Sequence, residues 1–290
     1  YDVIKINMQE FLSATQSMDD MLKLLQKRIL ADLRNKYPEF VTEENLVFVM
    51  QDVFAKTNSP FIILIDEWDC LFREYEQDRD AQKKYLDFLR FWLKDKEYIA
   101  LAYMTGILPI KKYGSHSALN MFMEYSMTDP GNLAEFFGFT EEEVQGLAKT
   151  YSLDFNKIKR WYDGYLLKDC QVYNPRAVVS VMLKGEFKSY WSETASYEAI
   201  VPLINMNYDG LKTSIIEMLS GASVKVNTAT FKNDTENIKS RDDVLTYMIH
   251  LGYLGYDQTR KTAFVPNEEI RQELTTAVES KAWNEMILFQ

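Results

Sequence analysis

The pattern of apolar side chains marks three strand-like segments in the first part of the chain. Residues Tyr1–Asn7 alternate between polar and apolar side chains, as a strand with one solvated face does. Phe61–Ile65 and Tyr98–Met104 are instead uninterrupted apolar runs. Runs of this length predict strands buried on both faces, which are typical of parallel sheets.

Apolar residues recur at helical spacing between these runs. Ser17 precedes one such stripe and has the residue type of a helix N-cap. Two further stripes predict helices over Thr42–Lys56 and Ala81–Lys94. Strands that alternate with helices predict a parallel, doubly wound sheet.

Helical patterns dominate from residue 140 onwards. Thr140-Glu141-Glu142-Glu143 is a capping box, and Pro175 suits the first turn of a helix that ends near Lys184. Further helical segments are predicted at 197–204 and 208–219. This part of the chain is therefore expected to form a helical domain.

A helix and a hairpin are predicted near the end of the chain. The helix covers Asp242–Leu251, and the strands Tyr253–Asp257 and Thr262–Val265 follow it. Pro266 and Asn267 then open a last helix. A helix followed by a two-stranded hairpin indicates a winged-helix-like unit.

The fold class predicted from these patterns is α/β: a core with a parallel sheet, then a helical domain and a winged-helix-like domain. The predicted domains are 1–135 for the core, 136–220 for the helical domain, and 221–290 for the winged helix with the start of a linker. The chain begins at Tyr1 rather than Met, so we expect a trimmed protein.

Composition limits the classes of function. The net charge of −10 removes the usual electrostatic contribution to nucleic-acid binding. Two cysteines and two histidines cannot build a disulfide framework or a zinc cluster. No signal peptide or membrane-spanning run is present in the sequence, so we expect a cytoplasmic protein without a membrane partner.

The strongest chemical signal is the pair Asp66 and Glu67, which directly follows the apolar run Phe61–Ile65. Carboxylates at the end of a buried parallel strand resemble the Walker B strand of P-loop NTPases, where an Asp holds Mg²⁺ and a Glu orients the attacking water. The phosphate loop G-x-x-x-x-G-K-[ST] is missing, because no glycine of the chain precedes a lysine.

Several motifs together resemble the AAA-ATPase-like family. They are YDVIKINMQEF, FIILIDEWDCLF, MTGILPIKKYGSHSALNMF, WYDGYLL, YNPRAVVSVM, HLGYLGY and FVPNEEIRQEL. They occur in the order expected of that family and extend to about Ser280. The resemblance implies that residues 1–135 form a P-loop NTPase core that is incomplete and that residues 136–220 form its helical lid. It also implies that a phosphate loop precedes this chain and that a PD-(D/E)XK nuclease-like domain follows it.

The resemblance also implies roles for individual residues. Asp66 would be the metal ligand, Glu67 the catalytic base, and Thr105 the polar residue that senses the γ-phosphate. A strand-capping Thr before the Gly106 turn is the alternative for Thr105. Asp69 is expected to cap a helix or to support the site. ATP and Mg²⁺ are expected in the full-length protein, and neither in this chain alone.

Three more residues are candidates for cofactor binding. Tyr162 and Gly164 lie in Trp161-Tyr162-Asp163-Gly164-Tyr165, which resembles the lid segment that packs on the nucleotide base. A tight turn flanked by core aromatics is the alternative for this segment. Arg176 stands at a predicted helix start, where a positive charge opposes the helix dipole and indicates a phosphate or carboxylate partner; a plain surface Arg is the alternative.

The functional hypothesis is a regulatory ATPase-like module whose nucleotide state controls an attached nuclease-like domain. We expect this chain to be inactive by itself, and the assignment as an ATP hydrolase stays open. Homo-oligomerisation is also left open. The alternative is a non-hydrolysing protein-interaction scaffold with a degenerate ATPase fold. A standalone metal nuclease that uses Asp66, Glu67 and Asp69 is disfavoured, because no lysine lies at a usable spacing.

Overall fold

The computed structural model describes residues 1–75, 78–110, 112–113, 116–117, 119–191, 202–206, 208–232 and 238–279. Contacts divide the chain into two compact units, of which the first spans Tyr1–Met123 and the second begins at Glu124. The finer division into domains 1–135, 136–220 and 221–290 stays a prediction. Within the ranges described, no helix has the length and apolar character that crossing a membrane requires.

The first unit contains a parallel sheet and the helices that connect its strands. In chain order its elements are β1 (Asp2–Asn7), α1 (Met8–Ser13), α2 (Met18–Lys36), α3 (Leu46–Thr57), β2 (Phe61–Asp66), α4 (Cys70–Glu74), α5 (Arg79–Leu93), β3 (Ile99–Met104), β4 (Lys112–Tyr113) and β5 (His116–Ser117). Strands β1, β2 and β3 pair in that order and are all parallel. The predicted α/β fold with a parallel sheet is thus confirmed.

Register brings the carboxyl ends of the three strands to one edge of the sheet. Asn7 at the end of β1 pairs with Asp66 at the end of β2, and Ile65 pairs with Met104 at the end of β3. Residues that follow β2 and β3 therefore meet at this edge, where open α/β sheets bind ligands.

The core of the first unit lies between the sheet and its helices. Phe61, Ile63 and Ile65 alternate along β2 and are buried, and they belong to one apolar cluster with Trp92 of α5 and Met50 of α3. Full burial of such side chains contributes about 1.5–3 kcal/mol each. This packing holds β2, and with it Asp66, in a fixed position.

Two expectations about this unit are wrong. Strand β3 is not buried on both faces, since the side chains of Leu101 and Tyr103 are about half exposed; among the described strands, β3 pairs only with β2. Helix α3 does not begin at Thr42. It begins after Asn45, because the Asn45 side chain accepts hydrogen bonds from the N–H groups of Val47 and Phe48.

The second unit combines helices with two small antiparallel sheets. Its elements are β6 (Phe139–Thr140), α6 (Glu141–Tyr151), α7 (Phe155–Tyr162), β7 (Tyr165–Leu167), β8 (Cys170–Tyr173), α8 (Pro175–Lys184), α9 (Leu211–Leu219), β9 (Val224–Lys225), α10 (Arg241–His250), β10 (Gly255–Asp257), β11 (Thr262–Phe264) and α11 (Glu268–Glu279). The sheets have the strand orders β6–β8–β7 and β10–β11–β9.

Agreement with the sequence patterns is uneven in the second unit. The capping box at Thr140 and Glu143 is present, and Pro175 opens α8. The order of α10, β10 and β11 is the predicted helix and hairpin, while the winged-helix and lid assignments stay predictions. The sheet β6–β8–β7 was not predicted. The predicted helix 197–204 falls mostly outside the described residues, and only 202–204 is seen as helical.

Candidate functional site

Asp66 and Thr105 meet at the carboxyl edge of the parallel sheet. The backbone N–H of Thr105 donates to the carbonyl of Ile65 at 2.8 Å, so pairing between the strands extends past β3. The Thr105 hydroxyl Oγ1 then donates to Asp66 Oδ1 at 2.6 Å. Two residues that lie 39 positions apart in the sequence are thereby joined by a side-chain hydrogen bond.

The two carboxylate oxygens of Asp66 differ in their surroundings. Oδ1 accepts from Thr105 and also from the backbone N–H of Glu67, at 3.0 Å. Oδ2 accepts no hydrogen bond from the residues that the structure describes, and the side chain is exposed. An exposed carboxylate oxygen of this kind fits Mg²⁺, which takes one or two protein carboxylates and completes its shell with water and phosphate oxygens.

A metal centre made of protein ligands alone is not found at this edge. Nowhere among the described residues do three or more His, Cys, Asp or Glu side chains form a group that could hold a metal ion. A metal ion held by Asp66 would therefore need further ligands such as water or phosphate oxygens.

Glu67 has an unusual backbone conformation. Its φ of 53° lies in the left-handed region, which costs a residue with a Cβ about 1–2 kcal/mol. Strain of this kind is often found at functional sites. The conformation turns the chain directly after β2, and the Glu67 carboxylate forms an ion pair with the guanidinium of Arg73 on α4. Adjacent carboxylates are thus directed to different partners, Asp66 to Thr105 and Glu67 to Arg73.

Asp69 lies in the interior of the first unit, two residues after Glu67. Its side chain is fully buried and Oδ2 accepts from the backbone N–H groups of Ile107 and Leu108, at 3.2 and 2.8 Å. Arg73 Nε lies 3.6 Å from the same oxygen. Burial raises the pKa of the Asp69 carboxyl, against the opposing effects of the Leu108 hydrogen bond and the Arg73 charge. The side chain makes no helix-capping hydrogen bond, and its role in supporting the site stays a prediction.

Gly106 is required by the close approach of two segments. A Cβ at this position would lie 2.5 Å from Asp69 Oδ1 and 2.7 Å from Trp68 Cδ1. The absence of a side chain at Gly106 lets the segment after Thr105 reach Asp69. Sequence reasoning missed this contact and also missed Arg73, although Arg73 follows Asp69 by four residues, the spacing that brings side chains together at a helix start.

The structure places Tyr162 and Gly164 at a packed junction of the second unit. Tyr162 has no exposed surface, and its hydroxyl donates to the Lys188 carbonyl at 3.0 Å. Gly164 has a φ of +106°, and a Cβ there would lie 2.1 Å from the carbonyl oxygen of Pro266. Their surroundings are those of core residues, and the predicted contact with a nucleotide base stays a prediction.

Arg176 lies in the first turn of α8 with an exposed side chain. Its backbone N–H donates to the Asn174 side chain at 2.9 Å, which caps the helix. A role for its guanidinium in binding a phosphate stays a prediction. Asp66, Glu67 and Thr105 are thus brought together in the first unit, while Tyr162, Gly164 and Arg176 belong to the second.

The cysteines and His250 have structural surroundings. Burial raises the pKa of the Cys70 thiol to about 12, so it is protonated at neutral pH. The ring of His250 packs at 6.0 Å from that of Phe231.

Comparison with known proteins supports the sequence resemblance. Residues 1–115 match the model of the AAA-ATPase-like family, described as predicted AAA-ATPase. An uncharacterized protein in the vnfD 5'region of Azotobacter chroococcum mcd 1 is 27% identical over 162 residues, which are 54% of this chain and 31% of that protein. The chain thus spans about a third of this relative's length. No solved structure matches the chain. The resemblance predicted from the motifs is therefore confirmed over residues 1–115, which carry the signature of the AAA-ATPase-like family, while the motifs after residue 115 stay a prediction.

Proposed function

We propose that this chain carries the magnesium-binding and base-bearing part of an ATP hydrolase. The observation that supports this most strongly is the 2.6 Å hydrogen bond from Thr105 to Asp66 at the carboxyl edge of a parallel sheet. A ligand at that edge would meet the Asp66 carboxylate, the Thr105 hydroxyl and the Glu67 carboxylate, which follow the ends of two neighbouring strands. These are the groups that phosphoryl transfer to water needs on the metal side.

Each residue has a distinct role in this proposal. Asp66 offers Oδ2 to the magnesium ion while Oδ1 stays held by Thr105. The bound Mg²⁺ would neutralise charge on the β- and γ-phosphate oxygens. Glu67 orients the attacking water and accepts its proton. Thr105, held by the backbone of Ile65, ties the position of Asp66 to the next strand.

The proposal extends to the longer protein. A phosphate-binding loop must come from residues other than these 290, because the sequence has no G-x-x-x-x-G-K-[ST]. We propose that nucleotide state in that protein controls an attached nuclease-like domain, and that the protein acts in the cytoplasm. The second candidate, a non-hydrolysing scaffold, is favoured by the same missing loop.

The test uses the natural protein that contains this chain. We expect Mg²⁺-dependent ATP binding by calorimetry, and steady-state release of phosphate. Glu67→Gln should lower kcat by about 100-fold or more while ATP still binds, because it removes the base and leaves Asp66 in place. Asp66→Asn should weaken the Mg²⁺ dependence of binding.

Asp52→Asn is the matched control, because Asp52 is an exposed carboxylate on α3 and no ion pair to it is seen within the described part of the chain. Its activity should equal that of the wild type. Wild-type turnover by both Asp66→Asn and Glu67→Gln would refute the assigned roles. A natural protein that does not bind magnesium–ATP at all would favour the scaffold.

Nuclease control is tested separately. DNA cleavage by the natural protein should differ between the ATP-bound state, trapped with Glu67→Gln, and the nucleotide-free state. Equal cleavage in the two states would remove the regulatory part of the proposal and leave the ATPase assignment intact.

A further inference from the structure

Arg73 lies between two carboxylates of the candidate site. One terminal nitrogen of its guanidinium pairs with Glu67, and its Nε lies 3.6 Å from the buried Oδ2 of Asp69. The Arg73 and Glu67 side chains are each about one third exposed, whereas Asp69 is not exposed at all. An arginine in this position is fixed from the interior side and presents its outer end to Glu67.

The interior side of this arrangement is rigid. Asp69 accepts two backbone hydrogen bonds from Ile107 and Leu108, which follow the strand end that carries Thr105. A side chain at Gly106 would collide with Asp69. The position of Asp69 is therefore set by the segment after β3. Because the planar guanidinium of Arg73 contacts both Asp69 and Glu67, a fixed Asp69 also restricts where Glu67 can lie.

We propose that Arg73 is a positioning residue that fixes the Glu67 carboxylate relative to Thr105 and Asp66. The proposal rests on the proposed function, since it assigns Arg73 an effect on catalysis only through Glu67. The left-handed backbone of Glu67 turns its side chain out of the strand geometry of β2, and the ion pair with Arg73 holds its carboxylate there. If the only role of Arg73 were to neutralise the charge of buried Asp69, its guanidinium would not need to pair with Glu67 as well.

The pairing itself is tested first, in this 290-residue chain and without nucleotide. The ¹⁵N-labelled guanidinium signal of Arg73 is compared between the wild type and Glu67→Ala. We expect the signal to shift, while that of Arg241, which pairs with Asp242 in the second unit, stays in place. An unchanged Arg73 signal would overturn the proposal, because the two side chains would then not interact in solution.

Coupling between the two residues is tested in the natural protein. Single-turnover ATP hydrolysis is measured for Arg73→Gln, Glu67→Ala and the double variant. Arg73→Gln should lower the rate by about 10-fold to 100-fold, the range expected for a displaced catalytic group, and should change KM by less than about 2-fold. In the Glu67→Ala background the same substitution should have less than about a 2-fold effect.

Controls separate this role from a structural one. Arg34→Gln removes a surface arginine of the same unit and should leave the rate unchanged. Arg73→Lys keeps a cation near Asp69 and is used if Arg73→Gln does not fold. The effect of Arg73→Lys on the rate should likewise disappear in the Glu67→Ala background. Equal effects of the Arg73 substitution with and without Glu67 would overturn the positioning role. Wild-type hydrolysis by Glu67→Ala would instead overturn the proposed function itself.

Discussion

Glu269 is a buried carboxylate, and no Lys, Arg or His side chain of the described residues forms an ion pair with it. It lies in α11 with no exposed surface, and Oε1 accepts the backbone N–H groups of Tyr190 and Trp191 at 2.7 and 3.1 Å. Oε2 has no hydrogen-bond partner in the described part of the chain. Burial raises the pKa of Glu269 from 4.5 to about 7, with a smaller contribution from the Glu273 charge.

Replacement of Glu269 by Gln should remove a pH dependence of stability. A carboxyl whose pKa is raised on folding stabilises the fold fully below pH 4.5, and this stability is lost as the pH rises through about 7. The rise in pKa corresponds to about 3 kcal/mol in total, at about 1.4 kcal/mol per pH unit. About 2 kcal/mol of this falls between pH 5.5 and 8.5.

The Gln side chain keeps one carbonyl oxygen for the Tyr190 and Trp191 N–H groups, and it carries no charge at any pH. Its amide group is buried in place of Oε2 and costs about 1–3 kcal/mol if it finds no acceptor. Glu269→Gln should therefore be less stable than the wild type at pH 5.5 and should lose that disadvantage by pH 8.5.

Urea unfolding at several pH values between 5.5 and 8.5 measures this difference. The free energy of unfolding of the variant relative to the wild type should rise by about 2 kcal/mol across the range. Glu142→Gln, an exposed carboxylate on α6, is the control and should follow the wild type at every pH. Parallel pH dependences for Glu269→Gln and the wild type would refute the reasoning, because Glu269 would then not titrate in this range.

Three further predictions concern local structure and the candidate site. Gly164→Ala should destabilise the chain by about 2 kcal/mol or more in urea, because its Cβ would meet Pro266; Gly146→Ala, with open space around it, should gain up to about 1 kcal/mol. Asn45→Ala should cost about 1 kcal/mol by loss of the α3 cap, while exposed Asn35→Ala should not destabilise. Thr105→Val should lower ATP turnover of the natural protein, and Thr105→Ser should restore it; equal rates would exclude a role for the hydroxyl.

The sheet could be predicted because its strands have strong local signals. Phe61–Ile65 is apolar at every position, which indicates a strand; Phe61, Ile63 and Ile65 are buried, whereas Ile62 and Leu64 on the other face are only half-buried. Burial of β3 could not be predicted in the same way, because exposure of Leu101 depends on which strands and helices lie beside it. The strands β6, β7 and β8 have two to four residues, too few for alternation to be recognised.

The candidate site was predictable only in part. Asp66 and Glu67 follow an apolar run, so their position at the sheet edge could be inferred from the sequence. The ion pair of Glu67 with Arg73 depends on a left-handed backbone at Glu67, and nothing in the residue types indicates that conformation. For Tyr162 the sequence pattern is present but fits two structures, because an aromatic residue beside a glycine turn occurs both in nucleotide-binding lids and in cores.

The backbone conformation at Glu67 explains how two adjacent carboxylates come to have different chemistry. In a regular strand, successive side chains point to opposite faces of the sheet, so the Asp66 and Glu67 carboxylates would lie on opposite faces. Here the chain turns at Glu67, so Asp66 remains beside Thr105 at the edge while Glu67 is carried to Arg73. One carboxylate is left with an exposed oxygen, and the other is oriented by a cation. Distinct surroundings for two neighbouring acids are the condition under which one can bind a metal and the other can act as a base.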